Sequence, residues 1–264
     1  MTTVNTDLKE WAIKLFQKSP LKQNKYRMIT ALLPNLSSAK CLDVGSDNGV
    51  ISMLLRERGG EWCSADLLPE TVQSIRSLVE SNVYQIADGE KLPFSDANFD
   101  GVVVVDMLEH LQNDRFFVEE IYRILKPAGW VIFNVPNPKE GLLRKFQYLI
   151  GQTDAAHGHL RVGYTSAQLQ CLISKKFEVE KQLSYSGFFS VLIDTILTFA
   201  LSCLKKGGRG EKGTIVTGDD LDKMQKSFKL YTLIYPVVAC FVKLDNVFLR
   251  SHRNMLISLC KKCD

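Results

Sequence analysis

The chain has no clean run of the roughly 20 apolar residues that a membrane-spanning helix needs. Its longest candidate, residues 187–204, carries the ionisable Asp194, and the next, from Tyr231, is broken by Pro236; no span is expected. It also lacks an excess of charge of one sign: the net charge is +4, and no basic stripe is interleaved with aromatics, so nucleic acid is not favoured as a partner. Cysteine is irregular, seven in all, with Cys41, Cys63 and Cys171 inside apolar runs. That pattern excludes a disulfide framework and suits a reducing compartment. Cys260 and Cys263 form a lone C-x-x-C without a second pair, so no metal knuckle is expected there. The opening MTTVNTDLKEWAIKLF has charges every few residues and no uninterrupted apolar core, so a secretory signal is not expected and a cytoplasmic location is.

What is present is an ordinary globular balance, 45% hydrophobic and 23% charged over 264 residues, enough for one large domain with an elaboration. It is organised around residues 40–50, KCLDVGSDNGV. Leu42 and Val44 read as a buried strand, Gly45 and Gly49 bracket a polar turn, and VISMLLRERGG follows at helical spacing. Strand, glycine turn and helix is the arrangement with which open α/β sheets hold a nucleotide-like ligand at the carboxyl edge of their strands. The spacing Gly45-x-x-x-Gly49 is not the G-x-G-x-x-G dinucleotide fingerprint, which disfavours a nicotinamide-dependent oxidoreductase.

Residues 7–33 read as two helices, an N-terminal lead-in assigned to 1–38. From Lys40 short apolar runs (CLDVG, WCSAD, VYQIAD, DGVVVVDM, WVIFNVP and FEVEKQLSY) alternate with helical stretches. This predicts an α/β core over 39–185, a parallel sheet covered by helices on both faces. Between 186 and 252 the alternation stops, and two apolar helical runs flank a glycine-rich charged stretch. The last strand, NMLISLCKK, falls in 253–264. The insertion has two readings. It caps the core, or it lies in a membrane surface with Lys205, Lys206, Arg209, Arg250 and Arg253 toward anionic headgroups, placing the protein at the inner face of the membrane.

Three acids follow the glycine turn at equivalent positions: Asp66 closes the second strand, Asp88 the third and Asp106 the fourth. Asp66 lies about 20 residues past the turn, where a carboxylate can accept from two ribose hydroxyls. Strand-terminal acids on one sheet edge converge on a single crevice.

With ADGEKLPFSDANFD after the third strand and RILKPAGWVIFNVPNP leading into the fifth, the chain resembles the class I S-adenosylmethionine-dependent methyltransferases of the type 11 group over residues 40–185. The resemblance implies a doubly wound, seven-stranded Rossmann-like sheet whose last strand is antiparallel, with the helical insertion before it. It implies S-adenosyl-L-methionine as cofactor. Asp43, Gly45, Ser46, Asp47 and Gly49 would surround its methionine end, Asp66 and Leu67 its ribose, Asp88 and Gly89 its adenine, and Asp106 with Met107 would flank the methionine again. Where the family often has a third glycine, this chain has Asp47.

Methyl transfer to a hydroxyl needs in-line positioning and a base. With four histidines in the chain, the candidates are His110, in DMLEHL, and His157 and His159, in AAHGHLRVGY. Arg161 and Tyr164 would orient an acceptor or brace that loop. The string Asp106-x-x-Glu109-His110 is similar to the E-x-x-E-H metal site of ubiquinone-pathway O-methyltransferases and small-RNA 2′-O-methyltransferases. The expectation is a metal-free site; the alternative is Mg²⁺ or Mn²⁺ held by Asp106, Glu109 and His110. The ubiquinone-pathway likeness and the apolar insertion point to O-methylation of a lipid-linked, glycan-type or other amphipathic small molecule. A non-catalytic, membrane-associated module that binds the cofactor is the competing class.

Overall fold

A computed structural model of the chain describes residues 2–46, 48–138, 142–150, 159–193, 195–196, 232–233, 235–243, 245 and 253–263. Two helices, α1 (Thr2–Gln17) and α2 (Pro20–Leu32), precede the sheet. The core then alternates β1 (Lys40–Val44), α3 (Val50–Arg56), β2 (Glu61–Asp66), α4 (Pro69–Val79), β3 (Val83–Gln85) and β4 (Phe99–Val105). It continues through α5 (Asp114–Ile124), β5 (Leu125–Pro136), α6 (Leu142–Leu149), α7 (Ser166–Ile173) and β6 (Phe177–Tyr185) to β7 (Met255–Lys262). The seven strands lie in the order β3-β2-β1-β4-β5-β7-β6, with β7 antiparallel to both neighbours and the other pairs parallel. This is the Rossmann-like methyltransferase sheet expected from the sequence, with helical segments inserted before the last strand.

The strand periodicity explains the layers. In β4 the consecutive valines point alternately to opposite faces. Val102 and Val104 pack with Ile121 of α5 and Leu169 of α7, whereas Val103 and Val105 pack with Ile29 of α2 and Leu55 of α3. A strand buried on both sides has to be apolar at every position. The lead-in helix α2 is thus one cover of the sheet, started by Pro20 in its first turn and by the Ser19 hydroxyl, which accepts from Lys22 N at 3.4 Å.

Two strand boundaries differ from the sequence reading. The third strand stops at Gln85, so Asp88 lies in an exposed turn beyond it rather than at its end. The fifth begins early, at Leu125, with a register shift opposite Phe99 and Gly101. Lys126 makes the irregular stretch worthwhile, because its ammonium reaches both carboxylate oxygens of Asp100 at 2.9 Å.

In the insertion, residues 188–193 and 235–243 are helical. Asp245 ties them together: its carboxylate accepts from the amides of Phe189 (2.8 Å) and Ser190 (2.9 Å) and from the Ser190 hydroxyl. Those amides belong to a helix N-terminus, where backbone donors lack intrahelical partners. Among the described residues no helix is long and apolar enough to cross a membrane. Asp194 and the basic Lys205, Lys206, Arg209 and Arg250 lie outside the described residues.

The buried cysteines yield a first prediction. Burial pushes the Cys41 and Cys260 thiols up to about 12 from an ordinary 9.0. The native state then keeps these protons after the unfolded chain has lost them. Stability therefore falls as pH rises from about 9 toward 12, by about 1.4 kcal/mol per pH unit for each thiol. Iodoacetamide should label the exposed Cys171 and Cys240 in the folded protein, and Cys41 and Cys260 only on unfolding; peptide mass mapping reads both.

Candidate active site

From β1 the chain winds outward through β2 to β3, and from β4 it winds the other way to β5. The carboxyl ends of β1 and β4 therefore border the crevice where such sheets take ligands. The glycine turn forms its floor. Gly45 has φ +84°, and a Cβ there would stand 2.1 Å from the carbonyl oxygen of Val105. Its amide donates to Ala65 O at 3.1 Å, so the ends of β1, β2 and β4 are clamped together at one residue. Met107, 2% exposed, packs beneath it. Gly49, at φ +81°, starts α3, and a Cβ there would lie 2.7 Å from Ile75 Cα on α4.

Asp43 is turned inward rather than toward the crevice. It is 0% exposed and accepts hydroxyl hydrogen bonds from Ser46 (2.7 Å), Ser52 (2.5 Å) and Ser64 (2.8 Å), with Arg56 Nη1 at 3.5 Å. The side chains of Asp43 and Ser46, expected beside a ligand, are buried and bonded to each other, so they shape the turn from behind. A carboxylate, with about four lone-pair directions, is the acceptor suited to so many donors. Asp47 lies outside the described residues.

Asp66 is 6% exposed and accepts from the Thr71 hydroxyl at 2.9 Å and from Leu68 N at 3.4 Å, which fixes the carboxylate at the end of β2. Leu67 beside it packs on the core. Asp88 accepts from Gln112 N at 2.7 Å, joining the turn after β3 to the segment after β4. Gly89 adjoins open space.

Asp106, with φ +46°, sits at the centre of a network drawn from four elements. Lys25 of α2 pairs with one carboxylate oxygen, and Asn134 Nδ2 of β5 donates to the other at 2.8 Å. The Tyr185 hydroxyl, at the end of β6, donates to Asn134 Oδ1. Burial, reinforced by the Asp106 charge, raises the Tyr185 phenol well above its ordinary value, so it remains a donor.

Next comes a 3₁₀ turn, Leu108–His110. The His110 and His159 rings meet edge to face with centroids 4.7 Å apart, and the carboxylate of buried Glu109 joins them. Ligand atoms of Glu109, His110 and His159 lie within 4.8 Å of one another, and Leu160 N donates to Glu109 O at 2.9 Å. The metal alternative read from the sequence is therefore corrected. Asp106 is engaged with Lys25 and Asn134, and His159 takes its place in the cluster. One carboxylate with two imidazoles fits Mn²⁺, Fe²⁺ or Zn²⁺ better than Mg²⁺, which prefers oxygen.

His157 lies outside the described residues. Arg161 and Tyr164 brace the loop. Arg161 pairs with Asp114 and donates to the Tyr164 hydroxyl at 2.6 Å; that hydroxyl lies 2.7 Å from Asp114 and 3.1 Å from Leu108 O. With Tyr164 only 5% exposed, orienting an acceptor is not what this geometry offers. Lys25, Asn134, Tyr185, Ser52 and Ser64 escaped the sequence reading. Asn134, Ser52 and Ser64 did leave a signal, each a polar residue inside an apolar run. Lys25 left none, being 81 residues from its partner.

The sheet order and its site edge define a class of fold: the seven-stranded, Rossmann-like sheet of methyltransferases, with the last strand antiparallel. The profile of a methyltransferase domain family matches residues 42–133. An uncharacterized methyltransferase of Mycobacterium tuberculosis is 27% identical over 123 residues, 46% of this chain and 50% of that protein. A ubiquinone biosynthesis O-methyltransferase of Xylella fastidiosa is 32% identical over 108 residues, 39% of this chain and 44% of its own length. The chain thus spans about half the length of the curated relatives it matches. A putative sarcosine dimethylglycine methyltransferase from Galdieria sulphuraria shares the fold, with a TM-score of 0.56 at 13% identity over 92% of this chain and 86% of that one.

Proposed function

We propose that the chain transfers the methyl group of S-adenosylmethionine to an oxygen of an amphipathic small molecule. The observation that carries this reading is the convergence of the Gly45 turn, Asp66, Asp88 and Asp106 on one sheet edge beside the His110–His159 pair. The likeness to ubiquinone-pathway O-methyltransferases supports oxygen as the accepting atom.

When bound, the cofactor supplies an electrophilic methyl on a sulfonium. The chain's own contribution is position and proton removal. The side-chain-free Gly45 would leave room for the methionine end at the turn. The Asp66 carboxylate would accept from the ribose hydroxyls, and Asp88 would accept from the adenine amino group. His159, paired with His110, takes the acceptor's proton as the oxygen attacks. In a second version of the site Glu109, His110 and His159 would instead hold a divalent cation, which would supply Lewis acidity toward the acceptor hydroxyl, and His159 would then be a ligand and not the base.

Titration calorimetry with S-adenosylhomocysteine tests the core of the reading: micromolar binding is expected, and none would rule it out. With an acceptor identified by mass spectrometry of extracts and labelled cofactor, His159→Ala should lower kcat by about 10²–10⁴-fold. Mn²⁺ should restore activity after chelation. Full activity in excess chelator would remove the cation from the scheme and leave the histidine base.

A further inference from the structure

A cavity of about 480 Å³ opens between α2 and the helical segments 188–193 and 235–243. Its walls combine two chemistries. Phe16, Tyr26 and Tyr235 give it aromatic surface, and Arg27, Lys243 and Arg253 bring three cationic groups to it. Among the described residues that line it the one acid is Asp245, which is 5% exposed and already accepts from the Phe189 and Ser190 amides and the Ser190 hydroxyl. Arg27 Nη2 donates to the uncharged Asn24 Oδ1 at 2.7 Å. Among the described residues none of the three cations enters an ion pair.

Two lining residues of the cavity are chain neighbours of residues in the Asp106 network. Asn24 and Ser186 line the cavity, bonded to each other at 3.4 Å. Their chain neighbours Lys25 and Tyr185 belong to the Asp106 network. A molecule seated there would lie among the cations, against walls that continue in sequence into the Asp106 network.

Resting on the methyltransferase reading above, we propose that this cavity is the acceptor subsite and that it takes an anionic amphipath, an aromatic or acyl body carrying a carboxylate or phosphate. A neutral acceptor would draw nothing from the three cationic groups, of which Arg27 and Lys243 are exposed and Arg253 is half-buried. A cationic one would be repelled by them. An anion gains charge-assisted hydrogen bonds, with guanidinium forks suited to planar carboxylate and to phosphate alike. The aromatic walls supply the apolar burial for the rest of the molecule.

Calorimetry on the full chain saturated with S-adenosylhomocysteine, using 1-naphthyl phosphate, 1-naphthoate and 1-naphthol as probes, decides it. At least one anion should bind tenfold or more tightly than 1-naphthol, and the better of the two identifies the acidic group. Arg27→Gln and Lys243→Gln, both at exposed positions, should each reduce that preference about fivefold while leaving 1-naphthol and S-adenosylhomocysteine binding unchanged. Lys243→Arg should retain it. Equal affinity for 1-naphthol, or a preference that survives both glutamine substitutions, would overturn the anionic subsite. Failure to bind S-adenosylhomocysteine would instead overturn the methyltransferase reading, and the acceptor assignment with it.

Discussion

Gly45→Ala is expected to abolish S-adenosylhomocysteine binding, lowering affinity at least a hundredfold, about 2.7 kcal/mol. The backbone at φ +84° already disfavours any side chain, and a Cβ would stand 2.1 Å from the Val105 carbonyl oxygen. That oxygen belongs to a buried central strand and has no room to yield. Relief has to come from the turn, which moves away from β4 and gives up the Gly45 N to Ala65 O bond of 3.1 Å. The space for the methionine end of the cofactor is lost in the same movement. Stability should fall too, by about 1–3 kcal/mol for a strained backbone position. Calorimetry and thermal unfolding read the two effects separately. A variant that folds and still binds within a few-fold of the parent would show that the turn is not the cofactor wall.

Asp43→Ala should be among the most destabilising substitutions in the chain, by about 3–5 kcal/mol in urea unfolding. The carboxylate is 0% exposed and gathers Ser46, Ser52 and Ser64 from the turn, α3 and β2, with Arg56 beside it. Its removal leaves these hydroxyls without their shared acceptor and the guanidinium without its countercharge, in a space water does not reach. Asp43→Asn keeps the shape and one oxygen acceptor, so its cost should be about half as large. A loss below about 1 kcal/mol for alanine would mean that the serines find other partners. Cofactor affinity should fall along with stability, because Ser46 leads directly into the turn.

Periodicity made the alternating strands and helices legible, because a sheet buried on both faces leaves apolar runs such as residues 102–105. Motif spacing likewise marked Gly45, Asp66, Asp88 and Asp106. Side-chain direction was not legible in the sequence. Asp43 sits on β1, as its neighbours suggested, yet its side chain faces the serines and not the crevice. Asp106-x-x-Glu109-His110 looks like a contiguous ligand set. Asp106, however, has φ +46° and turns to Lys25 and Asn134, while the 3₁₀ turn carries Glu109 and His110 to His159.

The amino-acid sequence by itself determined the sheet architecture, the glycine turn and the acids Asp66 and Asp106 that close β2 and follow β4, since local periodicity and short-range steric demands are written within a few residues. Tertiary structure alone decided which way those acids point, which imidazole joins Glu109, and which cations surround the cavity beside α2. Lys25 and Asp106 are 81 residues apart, and Asn24 and Ser186 are 162 apart. Such pairs meet only because segments far apart in sequence pack against one sheet, and no local pattern encodes a contact of that length.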